Sequence, residues 1–149
     1  MQSYKITPPT YLLTAMLAAV ALHFALPIMT IIPAPWTLLG ILPIVPGIVI
    51  NLQADRLFHL ARTAVNPFDG PTALVTHGPY RYTRNPMYLG FTLVLLGIVV
   101  IMGSLAPFLI VFVFGLVMDR VFIRMEERNL AVAFGSAWAD YKSRTRRWL

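Results

Sequence analysis

A chain of 149 residues is one domain by length, yet 58% hydrophobic residues, only 12% charged residues and a mean hydropathy of +0.71 are not those of a soluble domain, which carries about a quarter charged residues. The net charge of +6 does not point to nucleic acid, because the basic residues sit at the ends of apolar runs rather than on one patch. The absence of cysteine excludes disulfides, thiolate metal sites and a cysteine nucleophile.

Residues 1–10 are polar, with Lys5, Pro8 and Pro9. Residues 11–32 are apolar except for Thr14, His23 and Thr30. That run is long for a signal-peptide core and predicts a first transmembrane helix. No second metal-type residue lies at helical spacing from His23, which reads as a hydrogen-bonded core histidine rather than a ligand. Pro33-Ala34-Pro35 is a tight, uncharged turn. Residues 36–54 form a second span, opening with Trp36 as an interface anchor and kinked by Pro43 and Pro46. Asn51, Gln53, Asp55 and Arg56 mark its exit to water.

Residues 57–86 are too polar and too rich in proline to span, with turn signals at Asn66-Pro67 and Asp69-Gly70-Pro71. Phe58, Phe68, Leu74 and Val75 keep the stretch apolar enough to lie on the membrane face or fold over the bundle. Its end, from His77 to Gly90, packs together two prolines, two glycines, three tyrosines and two arginines. Gly78-Pro79 and Asn85-Pro86 are turns, and a proline suits the first turn of a following helix. A bent, non-helical strap that starts a helix at Pro86 is expected, with polar groups crowded at one membrane edge.

A third span covers 87–103, with Gly90 and Gly97 seven residues apart on one face that permits close helix approach. After the uncharged turn at Gly103-Ser104, a fourth span begins at 105, is apolar to 118 and continues as helix to about 125 and beyond. The tail, 129–149, is amphipathic and ends basic, through Lys142, Arg144, Arg146 and Arg147. With four spans, Lys5, the arginines of 56–84 and every basic residue from Arg120 onward fall on one side. The positive-inside rule then places both termini and the long loop in the cytoplasm, and in a prokaryote the membrane is the plasma membrane. The fold class expected is all-α: a multi-pass bundle of about four spans, forming a single domain over 1–149.

A straight helix from 119 to 131, at about 100° per residue, puts Arg120, Arg124 and Glu127 on one face and Glu126 on another. Glu127 is therefore expected to pair with Arg124 or Arg120, while Glu126 aims toward the strap.

Val75-Thr76-His77-Gly78-Pro79-Tyr80-Arg81-Tyr82, followed by Arg84-Asn85-Pro86-Met87-Tyr88-Leu89-Gly90, resembles the signature of the isoprenylcysteine carboxyl methyltransferase and phospholipid methyltransferase family. These are integral-membrane enzymes that use S-adenosylmethionine. Glu126-Glu127, Leu130, Phe134-Gly135, Tyr141-Lys142 and Arg144 resemble the family's second motif in order and spacing. The two blocks, 75–90 and 126–144, are more specific together than either alone. The likeness covers roughly 60–147. Asn85 stands where the family often has histidine, and Trp138 where it often has tyrosine. Asparagine hydrogen-bonds but carries no proton, so position 85 is no base here.

The resemblance implies a membrane methyltransferase with S-adenosylmethionine as cofactor. It places Val75, His77, Gly78, Tyr80, Arg84, Asn85, Pro86, Tyr88, Leu89, Glu126 and Glu127 at the cofactor, with Glu126, Arg81 and Tyr88 at the reacting groups and no metal. By their chemistry, Arg81, Arg84 and the Gly78 backbone suit the cofactor's carboxylate, Glu126 its ammonium, and Tyr80, Tyr82 and Tyr88 its adenine and sulfonium. The acceptor is expected to be lipid-soluble and to arrive from the membrane, since no span carries a row of charges to line a polar channel. A carboxylate acceptor of isoprenylcysteine type needs no base and is preferred, with a phospholipid amine as the alternative. Two other classes compete. A nicotinamide-dependent membrane reductase has a similar strap but is longer. A non-enzymatic small membrane protein has no reason to gather Arg, Tyr and His on one strap. Neither oligomeric state nor acceptor is legible in the sequence.

Overall fold

The computed structural model describes residues 6–26, 29–66 and 68–149. Lys5, used above for orientation, and the proline of the Asn66-Pro67 turn lie outside the described residues. Among those described, the chain is all-helical, with isolated bridges and no strand.

α1 runs Pro8–Ala25 with proline in its first turn. It stops short of the expected residue 32 because Leu26 precedes a proline in the sequence, and such a residue is pushed out of helix. Residues 29–32 instead pair with the turn after the third helix: Leu105 donates to the Met29 carbonyl at 3.0 Å, and Ile31 to that of Gly103 at 2.8 Å. His23 meets Ser104 Oγ through Nδ1 at 2.7 Å, the hydrogen-bonded role read from the sequence.

A 3-10 turn, Trp36–Gly40, leads into α2, Ile41–Leu60, with Pro46 inside it. The polar residues expected to end the span at 54 do not end the helix. Asn51 instead turns its amide onto the Gly47 carbonyl at 2.9 Å. α3, Pro86–Met102, starts at its proline as expected and closes at Gly103 in the left-handed region, φ 72°. A Cβ there would sit 2.5 Å from the Ile32 carbonyl oxygen, so the turn needs glycine.

α2 and α3 run antiparallel and touch through two glycine pairs, Gly40 with Gly97 and Gly47 with Gly90. Each pair is seven residues apart on both helices, about two turns, which keeps both contacts on one seam. Sequence periodicity found the α3 half of this seam.

α4 spans Phe108–Val117, passes into a π-helical turn at Met118–Ile123 and continues without a break as α5, Arg124–Arg144. Gly135, φ 49°, interrupts α5. Phe122 anchors the core. It meets Tyr11 edge-on at 5.2 Å and stacks with Tyr88 at 6.1 Å, tying α1, α3 and the π turn together.

Two helical segments, Pro8–Ala25 and Trp36–Leu60, are long and apolar enough to cross a membrane, and Pro86–Met102 is a shorter apolar helix. Their outer faces expose large apolar side chains such as Leu17, Phe24, Leu42 and, on α4, Phe112. A surface so apolar marks a membrane contact.

Candidate functional site

The site lies at the end of α3 opposite the Gly103 turn. The strap, residues 77–85, contains one 3-10 turn, Gly78–Arg81, where a wholly non-helical segment was expected. Gly78 enters it at φ 62°. Tyr80 is buried and stacks on Phe58 of α2 at 5.3 Å. From α5, the Tyr141 phenol donates to the Tyr80 carbonyl at 2.7 Å.

Residues beyond α5 then fold over the strap. The Thr83 hydroxyl and the Asn85 amide both donate to the Arg147 carbonyl, at 3.0 and 2.9 Å, and the Arg84 N–H donates to that of Arg146 at 2.9 Å. Asn85 therefore serves as an amide donor, which needs no titratable proton. Arg84 is fully committed. Its Nε and Nη2 reach Glu127 Oε1 at 3.2 and 3.0 Å, its Nη1 reaches the carbonyls of Lys142 and Thr145, and its guanidinium lies 5.9 Å from the Trp138 ring centre.

The two adjacent glutamates have opposite surroundings. Glu127 is buried between two guanidiniums, Arg84 and Arg147, the latter at 2.6 Å from Oε2. This corrects the expected pairing with Arg124 or Arg120, both of which face Asp119 instead. The π turn is the reason: it adds a residue to one turn, so Asp119 and Arg124 meet at a spacing of five and a straight-helix projection fails.

Glu126 accepts a hydrogen bond from the Tyr88 phenol in the first turn of α3, and among the described residues no cation pairs with it. Burial pushes its carboxyl up to about 7, the Tyr88 hydrogen bond opposes this, and the charge of Glu127 adds to it. Burial, and then the charge of Glu126, likewise push the Tyr80 phenol up.

A cavity of about 370 Å³ opens beside this carboxyl. That volume falls in the range of small-molecule sites. Of the residues singled out in the sequence, Val75, Tyr80, Arg84, Asn85, Pro86, Tyr88, Glu126 and Glu127 line it, and His77, Gly78, Arg81 and Leu89 do not. Leu89 is buried in α3, whereas His77, Gly78, Arg81 and Tyr82 are exposed on the strap. The sequence reading missed Thr7 and Pro8 of the α1 start, Phe58, Asp69, Asn129 and the pair Trp138 and Tyr141. The last two, three apart and both aromatic, carried a helix-face signal. Thr7, Pro8 and Phe58 come from segments read mainly by polarity and hydropathy, Asp69 from a turn, and Asn129 from an unassigned position inside the second motif. Among the described residues, no group of three His, Asp or Glu is placed to hold a metal ion.

No curated protein matches the chain. The family model described as phospholipid methyltransferase matches residues 35–137. That stretch holds α2, the strap, α3 and the Glu126-Glu127 pair, which form most of the cavity wall, while Thr7, Pro8, Trp138 and Tyr141 line it from outside the matched stretch. On that match the chain belongs to the phospholipid methyltransferase family, and it is a membrane methyltransferase.

Proposed function

We propose that the protein transfers a methyl group from S-adenosylmethionine to a lipid-soluble acceptor. One observation carries this reading. Glu126 is a carboxylate in an aromatic-lined cavity with no cation beside it among the described residues, while its neighbour Glu127 has two. A carboxylate half-buried in such a cavity without a cation calls for one from a ligand. The cofactor, when bound, supplies an electrophilic methyl for in-line displacement, along with an ammonium for Glu126. The chain's own part is to hold reactants in line and exclude water. Tyr80, Tyr88 and Trp138 offer ring faces, Val75, Asn85 and Pro86 shape the wall, and Arg84 with Glu127 holds strap to helix. With Arg84 committed and Arg81, His77 and Gly78 outside the cavity lining, the assignment of these three to the cofactor's carboxylate rests on the family resemblance alone.

For the acceptor, the electrostatics favour an amine headgroup over an isoprenylcysteine-type carboxylate. Among the described lining residues the single guanidinium, Arg84, is neutralised by Glu127, and two carboxylates, Glu126 and Asp69, also face the cavity. An acceptor anion would meet like charge. An amine needs a group to take its proton, and with Glu126 assigned to the cofactor's ammonium, Asp69 is the carboxylate left on the cavity wall for that. Labelled-methyl transfer to matched long-chain acceptors, one amine and one carboxylate, tests this, and faster labelling of the carboxylate would reverse the assignment.

For topology we propose four spans in a single domain over 1–149, with both termini, the strap and α5 in the cytoplasm. The basic residues from 56 to 84 and from 120 onward lie toward the strap end, and the two uncharged turns meet at the other.

A further inference from the structure

Arg147 does more than neutralise Glu127. Its Nη1 also reaches Asp119 Oδ1, at 3.2 Å. Asp119 lies in the π-helical turn and Glu127 one turn of α-helix beyond its end, so one planar guanidinium ties the π turn to the α-helix that follows it. The π winding decides where the glutamates point. A π turn holds one extra residue, so relaxing it to α-helix would rotate everything beyond it by about 100° relative to α4. Such a rotation would carry Glu126 off Tyr88 and out of the cavity wall.

From this geometry we infer that Arg147 is a positioning residue, a clamp across the π turn that keeps Glu126 aimed into the cavity. The clamp is built for the purpose in three ways. The fork of Arg147 takes Glu127 with Nε and Nη2 and leaves Nη1 for Asp119, a division that lysine cannot make. Its backbone is fixed independently, by the Thr83 and Asn85 side chains on its carbonyl. Asp119 is shared with Arg124 at the five-residue spacing that the π turn creates, so the same carboxylate favours the π winding twice. The inference rests on the cofactor role of Glu126 proposed above.

The test is a double-mutant cycle between Arg147→Gln and Glu126→Gln, read as S-adenosylmethionine affinity by calorimetry on full-length protein in detergent. If Arg147 acts through Glu126, R147Q weakens binding about tenfold in the unaltered protein and less than about twofold once Glu126 is glutamine. R147K retains the charge but not the fork and falls between. Equal losses in the two backgrounds, or no loss, would overturn the clamp, because a general structural effect is indifferent to residue 126. If R147Q does not fold, D119N cuts the other arm while leaving Glu127 paired and enters the same cycle. A second readout needs no cofactor. Glu126 is faced by Tyr88 of α3, by Tyr80 of the strap and by Glu127 on its own helix. The infrared carboxyl band absent from E126Q should titrate near neutrality in the intact protein and in the ordinary carboxylate range, about 4–5, in R147Q. An unchanged or higher midpoint would show that Glu126 keeps its buried place without the clamp. If the intact protein bound no cofactor, the proposed function would fail and the clamp would be judged on the infrared titration alone.

Discussion

The Tyr88 phenol donates its hydrogen bond to Oε1 of Glu126, joining the first turn of α3 to the first turn of α5 across 38 residues. The partners come from the two sequence motifs, so the contact is where the strap block and the glutamate block become one site. It also leaves Glu126 in an unusual state: half-buried, hydrogen-bonded to a neutral donor and without a cation among the described residues.

Glu126→Gln should weaken S-adenosylmethionine binding by about 1.5–3 kcal/mol, the range for a hydrogen bond to a charged group, with the fold intact. Glu127→Gln should act the other way round. It strands the Arg84 side chain, only 8% exposed, without its anion, and breaking such a pair costs about 3–5 kcal/mol of stability. Calorimetry and thermal melts on both variants check this. Similar effects of the two changes on binding would contradict the division of roles.

The pH dependence follows from the direction of the shift. The folded-state carboxyl of Glu126 sits at about 7 against an unfolded value of 4.5, so the folded state holds this proton more tightly. Stability is then lost as pH rises from about 4.5 to 7 and stays level above. Glu126→Gln should remove that loss, melting higher than the parent at about pH 8 and the same at about pH 4. A cationic ligand needs the ionised form, so cofactor affinity should fall about tenfold per pH unit below 7 in the parent and stay flat in the variant. Melting and binding series across pH read both slopes.

Much of the site was legible because its chemistry is written in local residues. The Pro86 helix start, Tyr80 and Tyr88 of the strap motif and the glutamate pair are at the cavity, whereas Tyr82 is exposed outside it. Partner choice was not legible. A straight-helix projection assigned Glu127 to Arg124 or Arg120, because nothing local announces a π turn at Met118–Ile123 and nothing at all announces that Arg147 returns to it. The α2 half of the glycine seam was hidden for a similar reason: Gly40 and Gly47 acquire meaning only opposite Gly97 and Gly90. The α1 boundary shifted because hydropathy ignores the residue before a proline.

The glycine seam gives a stability prediction. A Cβ on Gly90 would lie 2.7 Å from the Gly47 carbonyl oxygen and press on the Asn51 amide, and backbone on the opposite helix cannot give way cheaply. Gly90→Ala should cost about 1–3 kcal/mol, as overpacking does. Gly115→Ala meets nothing within 4 Å and should be neutral or stabilising by up to about 1 kcal/mol. Chemical denaturation in detergent compares the two.

Topology is checked by cysteine labelling at exposed positions, the chain having no cysteine of its own. Ala34 and Leu105 should react from outside, and Arg62 and Arg128 from the cytoplasm. Leu105 is the position to label in this turn because its neighbour Ser104 is buried against His23. Labelling of position 34 or 105 from the cytoplasm would reject four spans with cytoplasmic termini.

The most direct test of the account is the binding of three ligands, each in turn, to the purified protein. Calorimetry with S-adenosylmethionine, its demethylated product and a reduced nicotinamide should show the first two binding and the third silent, with the S-adenosylmethionine signal weakened in Glu126→Gln. Tight nicotinamide binding, with none of S-adenosylmethionine, would contradict the account and return the strap to a reductase reading.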